Sequence, residues 1–363
     1  MEKFFPNHEP NTTLTLEDIA SRFNLGLAHM NARKGKSRYD SVQEVDENRD
    51  KLLAELRDLI LSKKYRTSEY RRQIIQDSRK EREIYKLPYY PDRIVQWAIM
   101  LQIGYLFLER YSPHSHAAIR GRGTHSAMHE VEHILRTDRE GSKYCLKIDV
   151  RKFFPSVNHT VLKAMVDELV TNQDLREMQY EIIDSVPEGE GLPIGNYYSQ
   201  YAANLYLTPL DYMLEEHEGV CHFVRYMDDV VIFGRTKEEL RRALWDVEWF
   251  LYSRLCLRLK QNWQIFPVDS RGVDFAGFRV FRNRTLMRKT TFRDMRRRRI
   301  RLARRTAITR DISYHHQCSL MSDDGMIVHC TRKVRNDLHT RYIRPTMENV
   351  GIAPTKKMQK RYI

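Results

Sequence analysis

Two adjacent carboxylates, Asp228 and Asp229, follow Tyr226 and Met227 between two apolar, β-rich runs at residues 222–226 and 230–233. The pattern reads as a tight hairpin that pushes paired negative charge out of a sheet. Side-by-side like charges are unfavourable unless a cation compensates them. A divalent metal does so, because Mg²⁺ takes a few carboxylate oxygens and keeps its other positions for phosphates and water. Asp149 closes another apolar run at residues 144–150 and stands 79 residues before Asp228. Beside the hairpin it would complete three carboxylates around two metal ions about 4 Å apart, which activate a 3′-hydroxyl and stabilise a leaving pyrophosphate. Taken singly, the hairpin also reads as an ordinary acidic turn, and Asp149 as the cap of the next helix.

These carboxylates need a sheet to hold them. Residues 144–150 read as a short strand, and residues 159–185 as helical before a Pro/Gly-rich turn at 187–195. Residues 199–214 form a further helix. After the acidic hairpin, Thr236 with Glu239 opens a helix with Leu240, Leu244, Val247 and Leu251 on one face, and residues 273–281 read as a strand. Strand–helix–strand–strand–helix–strand suits a ferredoxin-like sheet in an α/β (α+β) chain. Upstream, Thr15 with Asp18 starts a helix carrying Leu16, Ile19, Phe23, Leu27 and Met30, and Leu52, Leu53, Leu56 and Ile60 mark a second. Residues 65–90 suggest a hairpin ending at Pro88 and Pro91, and residues 94–108 a buried helix.

The chain has 363 residues, 41% hydrophobic and 30% charged, which suits one multi-lobed unit or two to three subdomains. No apolar run reaches membrane-spanning length and no signal peptide is visible, so a cytoplasmic protein is expected. Five scattered cysteines without a CxxC pair argue for reduced thiols. The net charge of +14 is uneven: from Arg282 onward 22 Lys/Arg stand against 6 Asp/Glu, while residues 1–281 carry 40 basic and 42 acidic residues. A polyanion held by the C-terminal part follows from that asymmetry.

DVRKFF (149–154), GLPIGNYYSQ (191–200), RYMDD (225–229) and VDFAGF (273–278), in that order, resemble a reverse transcriptase. REIYKLPYYPDRIVQWAI (82–99) and SHAAIRGRGTHSA (115–127) resemble the finger blocks of prokaryotic members. The resemblance implies a right-hand polymerase with fingers, a ferredoxin-like palm and a helical basic thumb. Its domains would be residues 1–140 (N-terminal helices and fingers), 141–281 (palm, with an insert near 159–190) and 282–363 (thumb). It implies RNA-directed DNA polymerisation with two Mg²⁺ ions, Mn²⁺ as a substitute, a template RNA, a DNA or RNA primer, and dNTPs.

Carried over residue by residue, Asp149, Asp228 and Asp229 would bind metal with the Val150 carbonyl. Phe154 would be the steric gate against a 2′-hydroxyl, with core packing as the other reading. Arg82 and Lys80 would hold the triphosphate, and Lys260 is the nearest candidate to protonate pyrophosphate. Ile194, Gly195 and Gln200 would help bind the incoming dNTP, Ile194 near the nascent pair, and Tyr226 and Met227 would contact nucleic acid. Arg284, Arg288, Lys289, Arg293, Arg296, Arg297, Arg298 and Arg299 would grip the nucleic-acid backbone from the thumb.

Where many reverse transcriptases have Gln-Gly-x-x-x-Ser-Pro, this chain has Ile194, Gly195, Ser199 and Gln200, as do the enzymes of diversity-generating retroelements. An apolar Ile194 removes a polar contribution near the pair, so low fidelity is expected, and the resemblance implies errors concentrated at template adenines, as in mutagenic retrohoming of a variable gene. A small, oligomeric helical accessory protein would be the partner. A related polymerase of an antiphage defence system or another prokaryotic retroelement is the alternative. Three other readings are a non-catalytic nucleic-acid binder, an RNA-directed RNA polymerase and a zinc hydrolase. The last rests on His129, Glu130 and His133, an HExxH match without the third ligand of the extended motif.

Overall fold

The computed structural model describes residues 3–77, 80–186 and 189–352, and of residues 76, 77, 80 and 82 the backbone alone. Four helices lead the chain: α1 (Leu16–Ala20), α2 (Arg22–Ala32), α3 (Asp40–Glu47) and α4 (Arg49–Leu61). At the start of α1 the Thr15 N–H donates to Asp18 Oδ2 at 2.8 Å, one half of the expected capping box. A hairpin of β1 (Arg71–Asp77) and β2 (Lys80–Lys86) follows, then α5 (Ile94–Arg110) and α6 (Thr124–Thr137). Ile94, Val95, Ala98, Ile99, Ile103 and Phe107 are all buried, which explains why α5 is apolar over so much of its surface.

The central unit contains β3 (Tyr144–Asp149), α7 (His159–Asp167), α8 (Gln173–Asp184), α9 (Tyr197–Glu216), β4 (His222–Tyr226), β5 (Asp229–Gly234), α10 (Lys237–Leu255) and β6 (Gln264–Pro267). Its four strands are antiparallel in the order β4-β5-β3-β6, the order of a βαββαβ unit. The helical stretch at 159–185 is two helices, each capped by an asparagine: Asn158 Oδ1 accepts from Val161 N–H and Asn172 Oδ1 from Leu175 N–H, both at 3.1 Å. Both faces of the sheet are covered. Leu146, Ile148 and Ile232 join the large core with α5, α9 and α10, whereas Cys145, Val231 and Phe233 join a second core with α6. By the strand period of two, Lys147 and Asp149 share the second face.

Residues 273–281, expected as the fourth strand of this sheet, fold differently. β6 takes that place beside β3, and the 273–281 segment, preceded by α11 (Val268–Arg271), doubles back as β7 (Val273–Phe275) and β8 (Phe278–Phe281). Ala276 and Gly277 have φ of 48° and 88°, the pair of positive values a type I′ hairpin turn requires. β9 (Arg284–Met287) extends β7 and β8 into a separate three-stranded sheet. Beyond it, α12 (Lys289–Thr309), α13 (Tyr314–Ile327), α14 (Arg332–Leu338) and α15 (Arg344–Asn349) pack around Met295, Leu302, Leu320, Ile327 and Ile343 as a third core. Among the described residues no helix is long and apolar enough to cross a membrane.

Candidate active site

β4 and β5 are joined by Met227 and Asp228 alone, with Tyr226 opposite Asp229 in the ladder. Met227 has φ 56°, the left-handed conformation expected at the first position of so tight a hairpin turn. On the other side of β5, Asp229 stands opposite Asp149 at the end of β3. The Val150 N–H reaches the Asp228 carbonyl at 3.3 Å, so Asp149, Asp228 and Asp229 share one corner of the sheet.

That corner is costly for negative charge, because it is partly buried and its carboxylates face one another. Burial, then the facing charge of Asp149, pushes the Asp228 pKa up to about 6. Burial also raises that of Asp229, against the pull of Lys147. Lys147 Nζ lies 3.2 Å from Asp229 Oδ1, and Lys260 Nζ donates to Asp149 Oδ1 at 2.5 Å. Asp229 Oδ1 nevertheless remains buried without a hydrogen bond. Among the described residues no three His, Cys, Asp or Glu side chains surround a common ligand position, Asp149 and Asp229 being engaged by lysines. The donors still fit a hard divalent cation: they are oxygens, they repel one another, and a cation would relieve the raised pKa values.

The turn rests on a buried ion pair that the sequence reading missed. Arg225 and Asp211 are both 0% exposed, with Arg225 Nε and Nη2 each donating to an Asp211 oxygen at 2.6 Å. Burial raises the Asp211 pKa despite Arg225, but two charge-assisted bonds of that length keep the pair ionised. Arg225 Nη1 also donates to the Met227 carbonyl and to Asn204 Oδ1, both at 3.2 Å. The Arg225 backbone is held between His114 and His116, donating to the His114 carbonyl at 2.9 Å and accepting from the His116 N–H at 3.0 Å. A charged residue inside the apolar run of β4 was the available signal, as was Lys147 inside β3.

Residues 75–279, more than half of the chain, match the family described as reverse transcriptase (RNA-dependent DNA polymerase). The chain belongs to this family. A stretch of 135 residues, 35% of the chain, is 22% identical to the putative COX1/OXI3 intron 1 protein of Saccharomyces cerevisiae and covers 16% of that protein. Divalent metal ions, generally Mg²⁺, serve the reverse transcriptase family, in keeping with the acidic corner.

The remaining expected residues of this reverse transcriptase domain fall into three places. The first is a strap along residues 191–195. Phe153 is core, 2% exposed, while Phe154 is only half-buried. The Phe154 carbonyl accepts from Leu192 N–H at 2.7 Å, and the Ile194 carbonyl from Tyr85 N–H at 3.0 Å. The strap therefore ties the Phe154 turn to β2, the strand of Lys80 and Arg82, whose side chains lie outside the described residues. It runs so close that a Cβ on Gly191 would meet Pro155 Cα at 2.7 Å, and one on Gly195 the Tyr85 carbonyl at 3.0 Å. Ile194 is half-buried, Gln200 exposed, and Tyr226 and Met227 half-buried.

The second place is the C-terminal basic segment. Lys289, Arg293, Arg296, Arg297 and Arg298 are exposed along α12, and Arg284 is exposed on β9. Arg299 does not belong with them. It is 1% exposed, with Nε 2.8 Å from Asp323 Oδ2, because helical spacing turns it toward the third core. Arg288 also departs from the expected phosphate face: its Nε donates to Asp274, and its charge lowers the Asp229 pKa.

The third is the HExxH segment on α6. Glu130 hydrogen-bonds His114 and His116, while His129 Nε2 faces His329 Nδ1 at 3.0 Å. Burial would raise the Glu130 pKa, but the two imidazoles outweigh it and hold the carboxyl at about 2. With Glu130 committed to His114 and His116, and His129 to His329, the HExxH residues are engaged structurally, which counts against the zinc-hydrolase reading. Glu130 is a brace for the segment alongside β4.

Proposed function

We propose that this protein copies an RNA template into DNA, adding deoxynucleotides to a primer 3′ end. The observation that carries this reading is the register pairing Asp149 with Asp229, with Asp228 in the adjoining turn. Asp149, Asp228, Asp229 and the Val150 carbonyl would hold two Mg²⁺ ions, for which Mn²⁺ could substitute. Bound there, the ions would lower the pKa of the 3′-hydroxyl and neutralise charge on the departing pyrophosphate.

The chain's own residues act around that centre. Arg225 and Asp211 hold the turn that presents Asp228. Lys260 is the candidate to give a proton to pyrophosphate, since its ammonium already lies beside Asp149. The half-buried Phe154 ring would exclude a 2′-hydroxyl, with Lys80 and Arg82 on the triphosphate. Residues 1–140 are read as N-terminal helices and fingers, 141–281 as palm and 282–363 as thumb. The exposed cations Arg284, Lys289, Arg293, Arg296, Arg297 and Arg298 would lie on the duplex backbone.

We further propose service in a diversity-generating retroelement, with an oligomeric helical accessory protein as partner. The support is Ile194 in the strap beside β2 and Gln200 in the first turn of α9. Primer extension on a defined RNA template with Mg²⁺ and dNTPs, followed by cDNA sequencing, tests both levels. Product that is lost in Asp229→Ala supports the polymerase, and errors concentrated at template adenines support the retroelement. Faithful copying removes the second proposal. If Ile194→Gln leaves the error spectrum unchanged, Ile194 does not set fidelity.

A further inference from the structure

Helix α10 turns three aromatic rings outward. Trp245, Trp249 and Tyr252 are 77%, 67% and 57% exposed. Their spacing puts them within about 60° of one another around the helix. Leu240, Leu244, Val247 and Leu251 fill the buried face of the same helix, so the rings are not a misplaced core stripe. Large rings grouped in water mark a surface that a partner covers.

At the C-terminal end of this stripe lies a cleft of about 670 Å³, lined by Tyr252 with Arg151, Glu248, Arg258, Lys260 and Gln261 among others. The Arg258 guanidinium sits over the Tyr252 ring, 6.0 Å from its centre. Lys260 carries the cleft to the catalytic corner through its ion pair with Asp149. Three cations here face one carboxylate, Glu248. On the other flank, Trp249 borders a groove whose three carboxylates, Glu215, Glu216 and Asp246, stand with Lys3 and Arg254, so it lacks the cationic excess of the cleft beside Tyr252.

We propose that the stripe and the basic cleft form a track for an unpaired nucleic-acid strand passing the active site. Bases stack on Trp245, Trp249 and Tyr252, and phosphates meet Arg151 and Arg258. The chemistry is that of single-strand binding in general, since any base offers a face to a ring and arginine holds the backbone. The cationic excess of the cleft draws the strand to the Tyr252 side. The proposal rests on the polymerase reading of the acidic corner.

The test uses the full chain and an unstructured, fluorescein-labelled RNA of about 20 nucleotides, with DNA of the same sequence alongside. Trp245→Ala with Trp249→Ala should weaken binding at least about tenfold, while extension of a duplex with a minimal template overhang is unchanged. Arg258→Ala should reduce the slope of log affinity against log salt by about 0.7. Loss with RNA alone identifies the track's occupant as template, and loss with DNA alone as product. Unchanged affinity in both variants overturns the proposal. If the double tryptophan variant instead abolishes self-association or capture of a protein partner, the face is a protein interface. Wild-type protein that binds the free strands but never extends the duplex would sink the polymerase reading while leaving the binding result standing.

Discussion

Asp211 and Asp228 lie at opposite ends of one short network and are treated in opposite ways. Asp211 is fully buried, yet each oxygen receives a guanidinium hydrogen bond from Arg225 at 2.6 Å. Asp228 is less buried, but burial and the nearby Asp149 charge push its pKa to about 6. Asp229 keeps a buried oxygen with no hydrogen bond beside the Lys147 ammonium. The first arrangement resists removal of either partner, because a buried charge would be stranded. The second leaves charge uncompensated where an additional cation can enter. Arg225 connects the two by bonding Asp211 and the Met227 carbonyl of the acidic turn.

The sharpest break in the comparison is a pair of asparagine substitutions. Asp228→Asn should cost at least about 10³-fold in primer extension, near 4 kcal/mol at the transition state, without lowering the melting temperature. It removes a charge that the folded chain already disfavours. Asp211→Asn should instead destabilise by about 3–5 kcal/mol, seen in denaturant unfolding. Asp211→Leu with Arg225→Met should recover much of that stability but not the extension rate, because the Met227 carbonyl still lacks its donor. Recovery of both would show that Arg225 acts through folding alone.

The acidic corner was legible because alternation betrays strands and paired carboxylates betray a tight turn. Asp149, Asp228 and Asp229 follow from those patterns together with ordered family blocks. The Thr236 and Glu239 start signal is likewise made, with Glu239 N–H donating to Thr236 Oγ1 at 3.1 Å. Local patterns do not show which distant partner a charge will find. Arg225 read as part of a motif, and its pairing with Asp211 required α9 to lie beneath β4. Arg299 stood in a run of four arginines, and only the position of α13 determines that Asp323 meets it. β6 was missed because its short QIFP run is polar at one end and closes on proline, whereas the turn at Ala276 and Gly277 interrupts an otherwise strand-like pattern.

A smaller effect separates the brace from the catalytic corner by pH. The folded-state pKa of Glu130 is near 2, below its ordinary 4.5. Its stabilisation is therefore present above about pH 4.5 and disappears as pH falls through about 2. His114 is raised by its hydrogen bond to Glu130, so its share is present below pH 6.5 and declines as pH rises past the folded value. Glu130→Gln should lose about 2 kcal/mol near pH 6, and the difference from wild type should shrink toward pH 3. Denaturant midpoints across that range measure it. A difference independent of pH would mean that packing, not charge, braces the segment beside β4.

The smallest expected change in nucleic-acid binding divides two neighbouring arginines on α12. Arg297→Ala, at an exposed position, should leave unfolding unaltered and lower the salt slope of duplex binding by about 0.9. Arg299→Ala should do the reverse, destabilising the C-terminal bundle by about 3 kcal/mol because Asp323 loses its buried partner, with the salt slope unchanged. Arg298 also pairs with Asp323, at 2.9 Å, but its side chain remains 51% exposed, so Arg298→Ala should fall between the two in both measurements. If Arg299→Ala instead lowered the salt slope while Arg297→Ala destabilised the bundle, the division between buried structural charge and exposed binding charge would fail on this helix.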